Sequence, residues 1–233
     1  MLQVDGLNTF YGGAHILRDV ALVVGAREVV ALLGRNGAGK STTMRSIMGL
    51  VRPRSGRVRY EGRAIAGWPA YKVCRLGLGY VPEDRRVFRA LTVLENLEVG
   101  RRAARGEGPT WSVEALFGLF PNLAERRRAP AGQLSGGEQQ MLTIARTLMG
   151  QPRLVLLDEP SEGISPRIVE DMVGVLGRMK QAGVSVLLSE QNLHFARLVS
   201  DRAVILEKGT VRFEGTFAAL DRAPDVARET LAV

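Results

Sequence analysis

The chain has 233 residues, of which 45% are hydrophobic and 24% charged, a composition typical of a soluble protein with one well-packed core and room for an inserted subdomain. Its net charge of +8 allows two interpretations, an acidic partner such as nucleic acid, nucleotide phosphate or an anionic membrane surface, or simply a solvated arginine-rich surface. Cys74 is the only cysteine, which excludes an intrachain disulfide, and no apolar run approaches the roughly 18 residues that cross a bilayer.

The first elements in chain order are strands. Residues 2–24 and 57–63 alternate apolar and polar positions, which predicts antiparallel strands. The run "EVVALLG" (28–34) is apolar on both faces and predicts a buried strand, and "RLVLLDEP" (153–160) and "VSVLLSE" (184–190) repeat that pattern. Such strands are typical of a parallel sheet covered by helices, for example by the helix predicted for residues 165–183.

Residues 84–148 lose the strand pattern and favour helices. The expected fold is therefore α/β, with a parallel-sheet core, an N-terminal antiparallel β subdomain and an inserted α-helical subdomain. We expect a single domain over residues 1–233, in which 1–83 and 149–233 form the core and 84–148 the helical subdomain.

A glycine-rich segment follows the first buried strand. "GRNGAGKST" (34–42) matches the phosphate-binding pattern G-x-x-x-x-G-K-[ST], in which the glycines let backbone N–H groups point at phosphate oxygens. Lys40 is expected to reach the β- and γ-phosphates, and the Ser41 hydroxyl to bind Mg²⁺. The competing interpretation is a flexible turn with an exposed lysine. The predicted ATP-binding residues here are Gly34, Arg35, Asn36, Gly37, Ala38, Gly39, Lys40, Ser41 and Thr42.

An acidic pair ends the second buried strand. In "LVLLDEP" (154–160), Asp158 is expected to hold Mg²⁺ and Glu159 to polarise the attacking water. An acidic pair in this position is often only a helix cap. Its occurrence together with a phosphate loop favours the catalytic interpretation.

The segment "LSGGEQQ" (134–140) resembles the signature of the ATP-binding-cassette ATPases. The resemblance covers essentially the whole chain and implies a P-loop NTPase fold with a RecA-like core. It also implies that two cassettes pack head to tail, so that Ser135, Gly136 and Gly137 of one cap the γ-phosphate of ATP bound to the other. A serine N-cap with Glu138 at the third helical position is the local alternative, but it does not explain two glycines in a first turn.

Four further positions take expected roles from this resemblance. Tyr11 matches the aromatic residue that stacks on adenine, with Phe10 as the competitor. Three positions depart from the usual pattern. Glu83 stands where a glutamine senses Mg²⁺ and the attacking water, Ser165 where many relatives have aspartate, and Gln191 where a histidine contacts the γ-phosphate. An amide can donate to a phosphate oxygen but does not titrate near neutral pH.

The chain resembles the LivF-type ATP-binding subunit of the branched-chain amino acid importer in four segments, "VPEDRRVFRALTVLENLEVG" (81–100), "LSGGEQQML" (134–142), "LLDEPSEGISP" (156–166) and "SEQN" (189–192). This implies a second, different cassette, two membrane permease subunits and an external solute-binding protein as partners, with ATP and Mg²⁺ as cofactors. The chain would lie on the cytoplasmic face of the inner membrane, because its N-terminus lacks a secretory signal.

Three alternatives remain open at this point. The chain could energise a urea importer, it could be a soluble cassette ATPase acting on nucleic acid or ribosomes, or it could be a regulatory cassette that does not hydrolyse ATP. We expect no nucleic-acid partner, because 233 residues leave no space for the fused modules that such proteins usually carry.

Overall fold

A computed structural model describes residues 1–104 and 110–231. The strands of this part of the chain form one sheet of four strands and one of six. In these two ranges, no helix is both long and apolar enough to cross a bilayer. The strands are Leu2–Tyr11 (β1), Ala14–Val24 (β2), Val29–Leu33 (β3), Ser55–Tyr60 (β4), Arg63–Ala64 (β5), Leu78–Val81 (β6), Leu154–Asp158 (β7), Ser185–Glu190 (β8), Arg202–Glu207 (β9) and Thr210–Gly215 (β10).

Several of the α-helices begin at a residue whose side chain caps the first turn. The side chains of Thr92, Ser135 and Asn192 each accept a hydrogen bond from a backbone N–H in the first turn that follows. The helices are Lys40–Ile47 (α1), Ala70–Arg75 (α2), Val93–Gly100 (α3), Val113–Leu119 (α4), Pro121–Glu125 (α5), Gly136–Leu148 (α6), Pro166–Gln181 (α7), Leu193–Val199 (α8), Phe217–Asp221 (α9) and Pro224–Leu231 (α10).

The four-stranded sheet is antiparallel and has the order β2–β1–β4–β5. One set of side chains along β1, including Leu2, Val4 and Leu7, is buried, while other positions of the strand are more accessible. This is the arrangement expected for a sheet with one face on a core. The strands predicted from alternation in residues 2–24 and 57–63 are confirmed.

The six-stranded sheet has the order β10–β9–β3–β8–β7–β6. Its strands run parallel except for β10, which pairs antiparallel with β9 at one edge. Every residue of β3, β7 and β8 is buried, which explains why apolar residues fill β3 and the centres of β7 and β8, whose polar residues lie only at the strand ends. The predicted α/β class with a parallel core is confirmed.

The position of β8 between β3 and β7 determines where the site forms. Because the three strands are parallel neighbours, their carboxyl ends meet at one edge of the sheet. The loop after β3 contains the phosphate-binding pattern, β7 ends in the acidic pair, and β8 ends immediately before Gln191. Ligands of open α/β sheets bind at such an edge.

The described residues of the segment 84–148 are mainly helical and pack directly on the large sheet. One buried cluster contains Leu97 of α3, Leu142 of α6, Val155 of β7 and Val186 of β8. The helices and the sheet therefore share a hydrophobic core. The division of the chain at residues 84 and 148 remains a prediction.

Candidate nucleotide site

The loop between β3 and α1 depends on glycine for steric reasons. Gly39, the last residue before α1, has φ +111°, and a Cβ there would lie 2.7 Å from Cδ2 of Leu17. A Cβ on Gly34 would lie 2.5 Å from the carbonyl oxygen of Leu206. Substitution at either position would displace the loop, so the spacing of these glycines reflects this backbone path.

Helix α1 begins at this loop without a side-chain cap and without an acidic residue in its first turn. Its unpaired N–H groups and its positive dipole end therefore suit an anion. Lys40, the first residue of α1, is 3% exposed and donates from Nζ to the carbonyl oxygens of Gly34 (2.7 Å) and Arg35 (3.3 Å). The lysine is thus held inside the loop, which argues against a solvated turn with a free lysine.

Lys40 and Glu159 form a buried ion pair, with 3.0 Å between Nζ and Oε1 and side-chain exposures of 3% and 6%. Glu159 also accepts a hydrogen bond at Oε2 from Nε2 of Gln191, at 2.7 Å. Burial would raise the pKa of Glu159, but the hydrogen bonds from Gln191 and Lys40 outweigh burial and hold this pKa below its usual range. Glu159 is therefore an ionised carboxylate at neutral pH.

Asp158 is fully buried and accepts three hydrogen bonds. Ser41 Oγ (3.0 Å) and Ser189 Oγ (2.7 Å) donate to its Oδ1, and the Tyr80 hydroxyl (3.0 Å) donates to its Oδ2. Ser189 Oγ in turn accepts from the backbone N–H of Glu159 at 3.0 Å. This network fixes the acidic pair against the loop and against β8.

A cavity of about 300 Å³ opens beside the loop. Tyr11 lines it and is 44% exposed, as expected for a flat surface that a ring could stack on. Phe10 does not line it, because its ring stacks on His15 at 4.0 Å between centroids and lies under the guanidinium of Arg54. The cavity is lined by Tyr11, Ile16, Asn36, Gly37, Gly39, Lys40, Ser41, Thr42, Glu83 and Glu159.

The lining brings together residues predicted from distant parts of the sequence, including Tyr11, Glu83 and Glu159. Other predicted residues lie apart from it. Arg35 and Ala38 face a second cavity beside Lys208 and Glu229, and the signature lines neither cavity. Within the described chain, the signature therefore does not line the cavity beside the phosphate loop.

The signature lies at the start of α6. Ser135 is the N-cap, its Oγ accepts from the Glu138 N–H at 3.3 Å, and Glu138 Oε2 accepts from the Ser135 N–H at 2.8 Å. The capping box that was the local alternative for this segment is therefore present. A Cβ on Gly137 would meet Ile168 of α7 at 3.0 Å, so this glycine permits close packing.

Gln191 and His194 have different surroundings. Besides its bond to Glu159, Gln191 Nε2 donates to Asn36 Oδ1 of the loop at 2.9 Å. His194 is exposed on α8. The amide at position 191 therefore touches the site directly, while the imidazole three residues later points elsewhere.

The sequence analysis missed three residues of this network. Tyr80 and Ser189 bond to Asp158, and Glu190 is a buried carboxyl that accepts from the backbone N–H of Ser161 at 3.1 Å. Burial raises the pKa of Glu190, and the hydrogen bonds that its carboxylate accepts from Ser161 lower this pKa by less. A polar pair at the end of an otherwise apolar strand was the available signal for Ser189 and Glu190.

The residues suit a hard divalent cation only with help from other ligands. Among residues 1–104 and 110–231, no cluster of three or more His, Cys, Asp or Glu side chains could hold a metal ion. Ser41 nevertheless lines the cavity together with Glu83, and its Oγ lies 3.0 Å from Oδ1 of the buried Asp158. Mg²⁺ commonly takes one or two protein oxygens and completes its shell with waters and phosphate oxygens, so the donor set fits.

Comparison with known proteins adds independent information. Residues 17–162 match the family model described as ABC transporter. The chain is 42% identical to the high-affinity branched-chain amino acid transport ATP-binding protein BraG of Pseudomonas aeruginosa, over 97% of each chain. It is 34% identical to the lipopolysaccharide export system ATP-binding protein LptB of Haemophilus influenzae, over 93% of this chain and 90% of that protein.

A solved structure extends the similarity to three dimensions. The cassette MJ0796, described as a dimeric post-hydrolysis state bound to ADP and Pi, superposes with a TM-score of 0.79 at 25% identity. The similarity covers 93% of this chain and 98% of that one. The sequence and structural comparisons thus point to the same class of protein.

Proposed function

This chain belongs to the ABC transporter family, and from that premise we propose that it is the ATP-hydrolysing subunit of an importer for branched-chain amino acids. Binding of nucleotide and ATP hydrolysis coupled to transport are properties of the family. The amino acid cargo is supported chiefly by the 42% identity to BraG over 97% of both chains. The lower identity of 34% to LptB makes lipopolysaccharide a weaker candidate.

The proposed binding mode follows from the loop geometry. The backbone N–H groups of residues 34–42 and the N-terminus of α1 would surround the phosphates, while Tyr11 would stack on adenine at the mouth of the cavity. Lys40 would move its contact from Glu159 to the phosphates. Ser41 and Asp158, with Glu83 nearby, would hold Mg²⁺, which neutralises charge on the phosphates when bound.

The proposed chemistry depends on Glu159. Once Lys40 contacts phosphate, the Glu159 carboxylate is free to accept a proton from water, as a general base requires. The Gln191 amide already bonds both Glu159 and Asn36, so a change at the phosphate loop when phosphate binds can alter the hydrogen bond that Glu159 receives. This favours a hydrolysing cassette over a regulatory one.

In the described chain the signature does not line the cavity beside the phosphate loop, which supports assembly from two cassettes. Ser135, Gly136 and Gly137 would then act on nucleotide held by a second cassette, and MJ0796 is an example of a dimer in this family. We propose a different chain as that partner, with two permease subunits holding the pair at the cytoplasmic face of the membrane and a solute-binding protein outside.

Gln191→Ala is expected to lower ATP turnover by about tenfold, because Glu159 loses its hydrogen bond from Nε2 and the loop loses its contact at Asn36. His194→Ala, on an exposed position of the same segment, should leave turnover within about twofold of the unmodified protein. Phosphate release by the assembled complex measures both. The reverse order of effects would show that His194, not Gln191, occupies the position that contacts the γ-phosphate.

Solute uptake tests the proposed function most directly. Vesicles containing the assembled complex and its cognate binding protein should accumulate leucine, isoleucine or valine in an ATP-dependent manner, and Glu159→Gln in this chain should abolish accumulation. Uptake of urea but not of amino acids would mean that the transported solute is urea. Recovery of nucleic acid and no membrane protein with the purified chain would instead favour the soluble class of cassette ATPase.

A further inference from the structure

Arg85 contacts two segments of the chain, the signature and the loop that follows the acidic pair. Its Nη2 donates to the backbone carbonyl oxygens of Glu162 (2.6 Å) and Gly163 (3.1 Å), which belong to the loop 160–165 after the acidic pair. Hydrogen bonds from a charged donor are stronger than neutral ones. The arginine lies two residues after Glu83, and Glu83 lines the cavity.

The same guanidinium also covers the signature. A Cβ on Gly136 would lie 2.3 Å from Nη1 of Arg85, and a Cβ on Gly163 would lie 3.2 Å from Nη2. The guanidinium therefore occupies space that a side chain at position 136 would need. Gly136, the first residue of α6, is therefore needed to make space for the Arg85 guanidinium as well as to expose its own N–H group.

The backbone at Arg85 supports a specific role for the residue. Its φ is +45°, a left-handed conformation that is costly for a residue with a Cβ. The turn is closed by a hydrogen bond from the Val87 N–H to the Arg85 carbonyl oxygen at 2.8 Å. This conformation is maintained together with the contacts to Glu162, Gly163 and Gly136.

We propose that Arg85 is a positioning residue that fixes the signature relative to the loop 160–165, so that one cassette presents both as a single surface to the nucleotide of the second cassette. This inference rests on the two-cassette arrangement of the proposed function. Arginine suits the role because one nitrogen of its planar guanidinium, Nη2, donates to two carbonyl groups while the other, Nη1, covers a glycine, whereas lysine offers only a point charge.

Hydrogen exchange in the purified full chain tests the connection itself. Arg85→Ala should speed amide exchange by about tenfold in peptides that contain Glu138 and Glu162, because the signature and the loop 160–165 lose their common anchor. Arg86→Ala is the matched control, since the Arg86 side chain pairs with Asp84 at the surface. Equal exchange in Arg85→Ala and the unmodified chain would overturn the proposal.

ATP turnover by the assembled complex tests the consequence. Arg85→Ala should lower kcat by about tenfold, whereas the affinity of the isolated chain for MgATP should stay within about twofold, because Lys40 and Ser41 are untouched. Arg85→Lys should recover only part of kcat. A fall in MgATP affinity that accounts for the whole loss, or full activity of Arg85→Lys, would contradict the positioning role.

The two measurements separate this inference from the proposed function. If the unmodified complex does not couple ATP hydrolysis to amino acid uptake while Arg85→Ala still loosens both segments, the cargo assignment is wrong and the connection through Arg85 stands. If uptake is normal and Arg85→Ala changes neither exchange nor kcat, the importer stands and the role of Arg85 is wrong.

Discussion

Glu159→Gln should lower ATP hydrolysis by the assembled complex by about a hundredfold or more while leaving ATP binding intact. A positioned general base contributes about 10²–10⁴-fold to a rate, and the amide keeps the shape of the carboxylate without its ability to accept a proton. The structure keeps Glu159 in the ionised form that can accept a proton, because hydrogen bonds from Gln191 and Lys40 hold its pKa below the usual range. Single-turnover phosphate release, compared with nucleotide binding by titration, measures the two effects separately.

Glu61→Gln provides the control for this substitution. The Glu61 carboxylate pairs with Arg153 at the surface, so its loss should change turnover by no more than about twofold. If Glu159→Gln hydrolysed ATP at nearly the unmodified rate, Glu159 would not be the base. A parallel loss of nucleotide binding would assign it to binding instead.

The sequence revealed those parts of the fold that depend on local or periodic requirements. Strands β3, β7 and β8 are buried along their whole length, and this burial requires the apolar runs that fill β3 and the centres of β7 and β8. Strand β6 was not predicted, because its residues are set by distant packing. Gly79 of β6 illustrates this, since a Cβ there would lie 2.6 Å from Cγ2 of Thr147 in α6.

The residues of the site also fall into those that a sequence pattern predicts and those that it does not. The phosphate loop has a fixed spacing because its backbone path requires glycine at Gly34 and Gly39, and such a requirement leaves a pattern in the sequence. Tyr80 and Arg85 left none, because their partners Asp158 and Glu162 lie 78 and 77 residues away. Only the order of β6, β7 and β8 in the folded sheet brings these contacts within reach.

Lys40→Met should weaken MgATP binding by about a hundredfold, because the bound phosphates lose the charge pair proposed for Lys40. Truncating one member of a buried charge pair costs roughly 2–5 kcal/mol. The substitution should also destabilise the protein, since it leaves the Glu159 carboxylate buried without its cation. Lys180→Met is the matched control, because Lys180 pairs with Asp201 at the surface and should contribute little to stability. Nucleotide titration and urea unfolding measure the two consequences.

The dependence of stability on pH and a double-mutant cycle distinguish the ion pair from simple packing. Because the folded state lowers the pKa of Glu159 from 4.5, the carboxylate stabilises the unmodified protein above pH 4.5, and this contribution is lost as the pH falls through the lowered value. In Lys40→Met the stability deficit should therefore be largest near neutral pH and shrink in acid. Adding Glu159→Gln should recover about 0.5–3 kcal/mol relative to the sum of the single effects. Strict additivity would mean that Lys40 and Glu159 do not stabilise one another, and the proposed exchange of Lys40 between carboxylate and phosphate would fail with it.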